Sequence, residues 1–327
     1  MRGMPTRRRM LNRMAALAGL LAMAVAGTPA LAAEKLRITA TTGMIVDAAR
    51  QIGGDNIVVK GLMGPGIDPH AYRQTRTDIL ALARADLVLW HGLYLEAQME
   101  AFFRDFAQDR VVFAAAEAMP RRLLIAHDIY ADKFDPHVWM DPDRWVHVVR
   151  AIRDAMIDLE PKFGAVFNDN AEKYVADIGK LSAYAKQVLS TVPADQRVLV
   201  TAHDAFNYFG QSHDFEVVGI QGISTESEAG LNRVAELVDL LVDRKVKAVF
   251  VESSVSDRNV RALIEGAASR GHKVIIGGQL FSDAMGAEGT YEGSYLGMID
   301  HNVTTIARAL GGNAPERGSA GRLASGS

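Results

Sequence analysis

Short apolar runs rich in β-branched residues alternate with helical patterns along most of this chain, and that alternation constrains its fold more than any other feature. Strand-like runs at 36–42, 57–63 and 87–90 are separated by helical patterns near 44–52 and 75–84. The same rhythm resumes at 197–201, 215–220, 248–252 and 273–277 and ends in a helical pattern over 294–310. Such alternation predicts parallel sheets with helices on both faces. Between the two blocks, residues 165–191 hold one helical pattern without proline, closed by Val192-Pro193, with Val166, Tyr174, Ile178, Leu181 and Leu189 expected to pack on both neighbours. The expected fold is α/β: two doubly wound lobes with mainly parallel sheets, spanning 33–163 and 193–312, joined by one long rigid helix at 164–192. Open parallel sheets bind ligands beyond the carboxyl ends of their strands, so the cleft between the lobes is the expected site. One stiff helix is a poor hinge, so a small closure is expected. The tail, 313–327, is Gly-rich, lacks apolar periodicity and reads as disordered.

Residues 1–32 have the form of a cleavable signal peptide. An arginine-rich start precedes an apolar run over 14–26, too short for the roughly 20 residues that a membrane span needs. Ala30-Leu31-Ala32 then fits an A-x-A cleavage site. Thr6-Arg7-Arg8-Arg9-Met10-Leu11 approximates a twin-arginine signal, with Met10 where phenylalanine is usual. The chain has no cysteine, hence no disulfide, no thiolate ligand and no residue to carry a lipoprotein's lipid, and a free periplasmic monomer is expected. Removing the five arginines Arg2, Arg7, Arg8, Arg9 and Arg13, with no acid among them, takes the formal charge from −3 to −8. An acidic mature chain argues against nucleic acid or anionic membrane as partner.

Three of the nine histidines stand in loops after strand-like segments: His70 and His137, each in an Asp-Pro-His tripeptide, and His203 in Thr201-Ala202-His203-Asp204. Proline fixes its own φ and pushes the preceding aspartate toward extended backbone, so each tripeptide aims an imidazole rigidly. Asp68 and Asp135 are candidates to take the second ring N–H of a metal-bound histidine. Asp-Pro turns beside surface histidines would have the same spacing, so spacing alone leaves both readings open.

The phrases Gly66-Ile67-Asp68-Pro69-His70-Ala71-Tyr72 and Asp135-Pro136-His137-Val138-Trp139-Met140-Asp141-Pro142 resemble the periplasmic zinc and manganese receptors of ABC importers, the solute-binding protein family 9. So do His203-Asp204-Ala205-Phe206-Asn207-Tyr208-Phe209, the stretch 221–229 (Gln-Gly-Ile-Ser-Thr-Glu-Ser-Glu-Ala), and Leu280-Phe281-Ser282-Asp283-Ala284-Met285-Gly286. The resemblance runs through nearly all the mature chain. It implies a single divalent transition-metal ion, zinc or manganese, held as transported ligand by His70 and His137 of the first lobe and His203 and Asp283 of the second. It also implies delivery to an importer permease in the inner membrane. In that family a glutamate at the third place goes with manganese, whereas a histidine, here His203, occurs in zinc receptors and in some that take both ions. The His-rich loop of many zinc receptors is represented in 119–134 by His127 alone, which weakens a dedicated zinc reading.

Three neutral imidazoles and one carboxylate make a closed four-ligand shell, which suits binding more than Lewis-acid catalysis. A zinc-dependent hydrolase is the main rival, but the chain has no His-Glu-x-x-His helix, and Asp283 would fill the position that a catalytic zinc leaves open. An adhesin or interaction protein is the second rival, and an exposed apolar patch away from the cleft would favour it. His91 reads as a polar cap under the lobe edge, His147, His213, His272 and His301 as surface or satisfied core residues, and Glu252 as a strand-end or supporting carboxylate.

Overall fold

The computed structural model describes residues 35–127, 130–227 and 229–324. The signal-peptide reading of 1–32 lies outside them. In the N-terminal half, β1 (Leu36–Ala40), β2 (Ile57–Gly61), β3 (Leu87–Trp90) and β4 (Val112–Ala114) form one parallel sheet in the order β2-β1-β3-β4. Its helices are α1 (Gly43–Gly53), α2 (Arg76–Arg84) and α3 (Glu100–Phe106). α2 starts at a reciprocal cap in which the Thr75 hydroxyl accepts from the Asp78 N–H while the Asp78 carboxylate accepts from the Thr75 N–H. β3 is apolar throughout because both its faces are covered: Leu87 and Leu89 enter the central core, while Val88 and Trp90 pack with Met63, Leu82 and Phe103 on the other side.

A helix absent from the sequence reading follows, α4 (Pro142–Leu159), antiparallel neighbour of the long helix α5 (Gly164–Leu189). Its start is locally encoded, since the Asp141 carboxylate accepts from the Asp143 N–H at 2.9 Å and Pro142 occupies the first turn, where its missing N–H costs nothing. α5 buries Phe167, Ala171, Tyr174, Ile178, Leu181, Ala185 and Val188, a stripe at helical spacing. Val166, expected in that stripe, lies beside it and is exposed. The helix stops at Leu189, short of the expected 191, because Pro193 restricts the residue before it and cannot continue the ladder.

The C-terminal half runs β5 (Val198–Thr201), α6 (Asn207–His213), β6 (Glu216–Gly219), α7 (Leu231–Asp243), β7 (Ala248–Glu252), α8 (Arg258–Ser269), β8 (Ile275–Leu280) and α9 (Tyr295–Ala309). Its strands form two parallel ladders, β5–β6 and β7–β8, with β5 lying beside β7. Leu199 and Phe250 face the central core, whereas Val198, Val200 and Val249 face a separate cluster with Leu237, Leu241, Val260 and Leu263. The central core is continuous from Ile38 and Ile45 through the α5 stripe to Val303 and Ile306. The two halves therefore share one apolar core, and separating them would expose that surface at a cost of roughly 25 cal/mol per Å².

The tail departs from its expected disorder. Through residue 324 it lies on α9: the N–H and hydroxyl of Ser319 donate to the Asp300 carboxylate at 2.9 Å, and Leu323 is buried. Asp300 is fully buried within α9 and requires such donors. Gly318, at φ +70°, lets the chain pass where a Cβ would come within 2.5 Å of that carboxylate. Among the described residues no helix is long and apolar enough to cross a membrane.

Candidate metal centre

Four side chains from both halves meet where strands end. His70 lies in the loop after β2, His203 after β5 and Asp283 after β8, while His137 lies in the loop that leads into α4. Each offers one donor atom, all within 4.8 Å of one another, and all four residues are buried. The Nε2 atoms of His70 and His137 are 3.3 Å apart. Asp283 Oδ2 lies 3.1 Å from His203 Nε2 and 3.9 Å from His70 Nε2, and Oδ1 lies 3.4 Å from His137 Nε2. Both Asp283 oxygens and His203 Nε2 are nonetheless buried without a properly directed hydrogen bond. Unsatisfied buried polar atoms are costly, and a cation among several aimed at a shared point would satisfy them.

The rings are held from behind. His137 Nδ1 lies 2.7 Å from Asp135 Oδ1, which also accepts from the His137 backbone N–H at 2.9 Å. His203 Nδ1 lies 2.5 Å from Glu252 Oε2, while Oε1 accepts from the His203 N–H at 2.9 Å. In both cases a carboxylate fixes the proton on Nδ1 and leaves Nε2 as the free donor. Asp68 departs from its expected role. Its Oδ1 accepts from the backbone N–H of His70 at 2.9 Å, and its Oδ2 accepts from the hydroxyl of Thr225. The two Asp-Pro-His tripeptides are therefore alike in turn geometry and different in what the aspartate does to the ring. His91 is buried behind the site with Nε2 2.7 Å from the carbonyl of Pro136, bracing the loop that carries His137. Gly219 permits the approach of β6 to the His203 loop, since a Cβ there would meet the backbone nitrogen of Asp204 at 2.6 Å.

Electrostatics separates the three histidines. Burial lowers His70 to about 3, more than the nearby Asp283 restores, so its ring is neutral and ready to donate at neutral pH. Burial also acts on His137, but the Asp135 and Asp283 carboxylates outweigh it and hold that ring at about 9. His203 is likewise raised well above its usual value against burial by Asp283 and Glu252. Asp283 is pushed well below the usual carboxylate range, burial being overcome by the surrounding imidazoles. Without an ion, protons on His137 and His203 thus balance the buried carboxylates.

The other histidines stay away from this cluster. His272 and His301 each contact a backbone carbonyl, of Val246 and Gln279, and His213 meets Phe209 edge to face. His127 is among the residues around a surface cavity with Tyr130 and Gln221. Trp139, Asn207 and Tyr208, which tie the His137 loop to the C-terminal half, escaped sequence reading. Their signal was present inside the quoted motifs, but a tryptophan or tyrosine in an apolar stretch reads as core before its polar atom has a known partner.

The chain as a whole resembles known proteins. Residues 38–309 match the model of the family described as zinc-uptake complex component A, periplasmic. The chain is 46% identical over 277 residues to the manganese-binding lipoprotein MntA of Bacillus subtilis, covering 85% of this chain and 90% of that one. It is 44% identical over 283 residues to the zinc-binding protein TroA of Treponema pallidum, covering 86% and 91%. The solved structure of the Treponema pallidum periplasmic zinc-binding protein TroA superposes with a TM-score of 0.82 at 43% identity, covering 84% of this chain and 99% of that one. An iron-binding protein of Yersinia pestis, YfeA, is 31% identical over 285 residues, covering 86% and 89%. On the extent of these matches, this chain belongs to the family of periplasmic zinc-uptake component A proteins.

Proposed function

We propose that this chain is the exported receptor of an ABC-type importer, that it takes up one divalent transition-metal ion, zinc or manganese, and that it holds the ion with His70, His137, His203 and Asp283. The observation that carries the reading is the convergence of four buried donor atoms within 4.8 Å, two of them with carboxylates set behind their rings. Three imidazole nitrogens and one carboxylate fill a tetrahedral shell and leave no position for an activated water, which favours capture over hydrolysis. The nitrogen-rich set suits zinc by softness, while relatives of nearly equal identity are named for manganese and for zinc, so the donor types set the ion's class and leave the choice within it to affinity.

Transport requires release as well as capture. An ion whose ligands come from two halves is bound fully only while they are in register, so a permease that prefers the loaded shape can draw the ligands apart. We further propose export with cleavage after Ala32, and action as a free monomer. Replacing His70, His137, His203 and Asp283 singly by alanine tests the ligand set. Each variant is expected to keep the metal-free fold by circular dichroism and to lose metal affinity, and retention of affinity in three of the four would break the assignment.

A further inference from the structure

The four donors are not held equally. His137, His203 and Asp283 sit on segments tied to one another across the two halves. The indole N–H of Trp139 donates to the carbonyl of Ser282 at 2.9 Å, next to Asp283. The Tyr208 hydroxyl donates to the carbonyl of Asp135 at 2.8 Å, the Asn207 amide to the Asp135 carboxylate at 3.1 Å, and the Ser212 hydroxyl to Asp141 at 2.6 Å. Trp139, Asp135 and Tyr208 have no exposed surface, so the loop bearing His137 is gripped by α6, which directly follows the loop bearing His203.

His70 stands on a different footing. Among the described residues, the backbone of 64–71 makes only local bonds, Ile67 N–H to Gly64 O at 3.3 Å and His70 N–H to Asp68 Oδ1. Residues 64–67 are exposed and Asp68 is half-buried. Among the described residues, this segment makes one hydrogen bond to the C-terminal half, from the Thr225 hydroxyl to Asp68 Oδ2 at 2.5 Å. A cavity of about 40 Å³, lined by Gly64, Ile67, Asp283 and Met285, runs between the segment and the C-terminal half and reaches the ligand carboxylate.

We infer that the Asp68–Thr225 hydrogen bond is a latch: His137, His203 and Asp283 remain assembled in the metal-free protein, and His70 is the donor that joins last and leaves first. This rests on the receptor reading above. One carboxylate grips both the backbone N–H of His70 and the Thr225 hydroxyl, so withdrawing 64–71 breaks one part-buried bond between the halves, brings the buried Pro69 and His70 into solvent and removes one ligand. Withdrawing the His137 loop instead would break the Trp139, Tyr208, Asn207 and Ser212 bonds and leave buried groups unsatisfied. Thr225 is in this account a positioning residue that sets the lifetime of the loaded state.

The test is stopped-flow release of zinc into excess chelator from the full chain, with manganese in a parallel set, comparing wild type, Thr225→Val and Thr225→Ser. Loss of a hydrogen bond to a carboxylate is expected to speed release about tenfold in Thr225→Val, with association within about twofold of wild type. Thr225→Ser, which keeps the hydroxyl, is expected to restore the slow rate, and the metal-free melting temperature is expected to be the same in all three. A Thr225→Val chain that releases as slowly as a metal-binding wild type overturns the latch. So does an equal loss of stability with and without metal, which would mark the bond as a static brace. A wild-type chain that takes up neither ion overturns the receptor reading and the latch with it.

Discussion

Replacing Glu252 by glutamine should weaken metal binding although Glu252 does not touch the ion. Its two carboxylate oxygens accept two separate N–H groups of His203, the backbone N–H at 2.9 Å and Nδ1 at 2.5 Å, and the residue is buried where water cannot substitute. An amide has one acceptor oxygen. If it keeps the backbone N–H, its NH₂ faces Nδ1, the ring must carry its proton on Nε2, and the donor aimed at the ion is lost. If the amide turns over, the backbone N–H of His203 is left buried and unpaired. Either arrangement places the cost within the range known for partners behind metal-bound histidines, about 10–100-fold in affinity, or about 1.4–2.7 kcal/mol. Chelator-competition titration of the metal-stripped Glu252→Gln chain measures it, with circular dichroism to confirm the fold. Wild-type affinity in that variant would refute the tautomer argument, and with it the claim that Glu252 prepares His203.

Metal uptake should release protons. His137 at about 9, and His203, which its carboxylate neighbours also raise well above its usual value, carry ring protons that the ion must displace, so about two protons per ion are expected. Calorimetry in buffers of different ionisation enthalpy reads that number, and a heat independent of buffer would contradict it. The same shift has a sign for stability: a folded value above the unfolded one gives His137 a contribution that is whole below about 6.5 and lost as pH rises through about 9. The metal-free melting temperature should therefore fall across that window while the loaded protein's, its ring proton already gone, should not follow it. Gly219→Ala is expected to push the His203 loop outward and cost about 1–3 kcal/mol, since its Cβ would meet three backbone atoms at 2.6–2.7 Å. Urea unfolding checks the loss, and an unchanged midpoint would show that β6 can move aside.

The strands other than β4, and the long helix, were legible because their periodicities are strong: the apolar run at 87–90 and the helical spacing from Phe167 to Val188 survive any reasonable reading, whereas the three residues of β4 are too few to show a period. α4 was missed although Asp141-Pro142 announces its start, because the same residues were absorbed into a motif read as a loop. Val166 falls one residue outside the buried stripe, a distinction that depends on where the helix meets its neighbours. The tail's order rests on a buried Asp300 that lies 19 positions before Ser319 in the chain, which no local pattern reveals. At the site, the four side chains were named from motifs, whereas the division of labour behind them was not. That Asp135 grips a ring while Asp68 reaches Thr225 depends on which opposite segment each aspartate faces, and only the fold brings those segments together.

The measurement that bears most directly on the central claim is parallel titration of metal-stripped chain with zinc and with manganese, read by calorimetry and by the rise in melting temperature that accompanies binding to the folded state alone. The account predicts one ion per chain for both metals, with the affinity ratio identifying the transported one and with binding lost in His137→Ala. Absence of binding to either metal by a folded chain would contradict it.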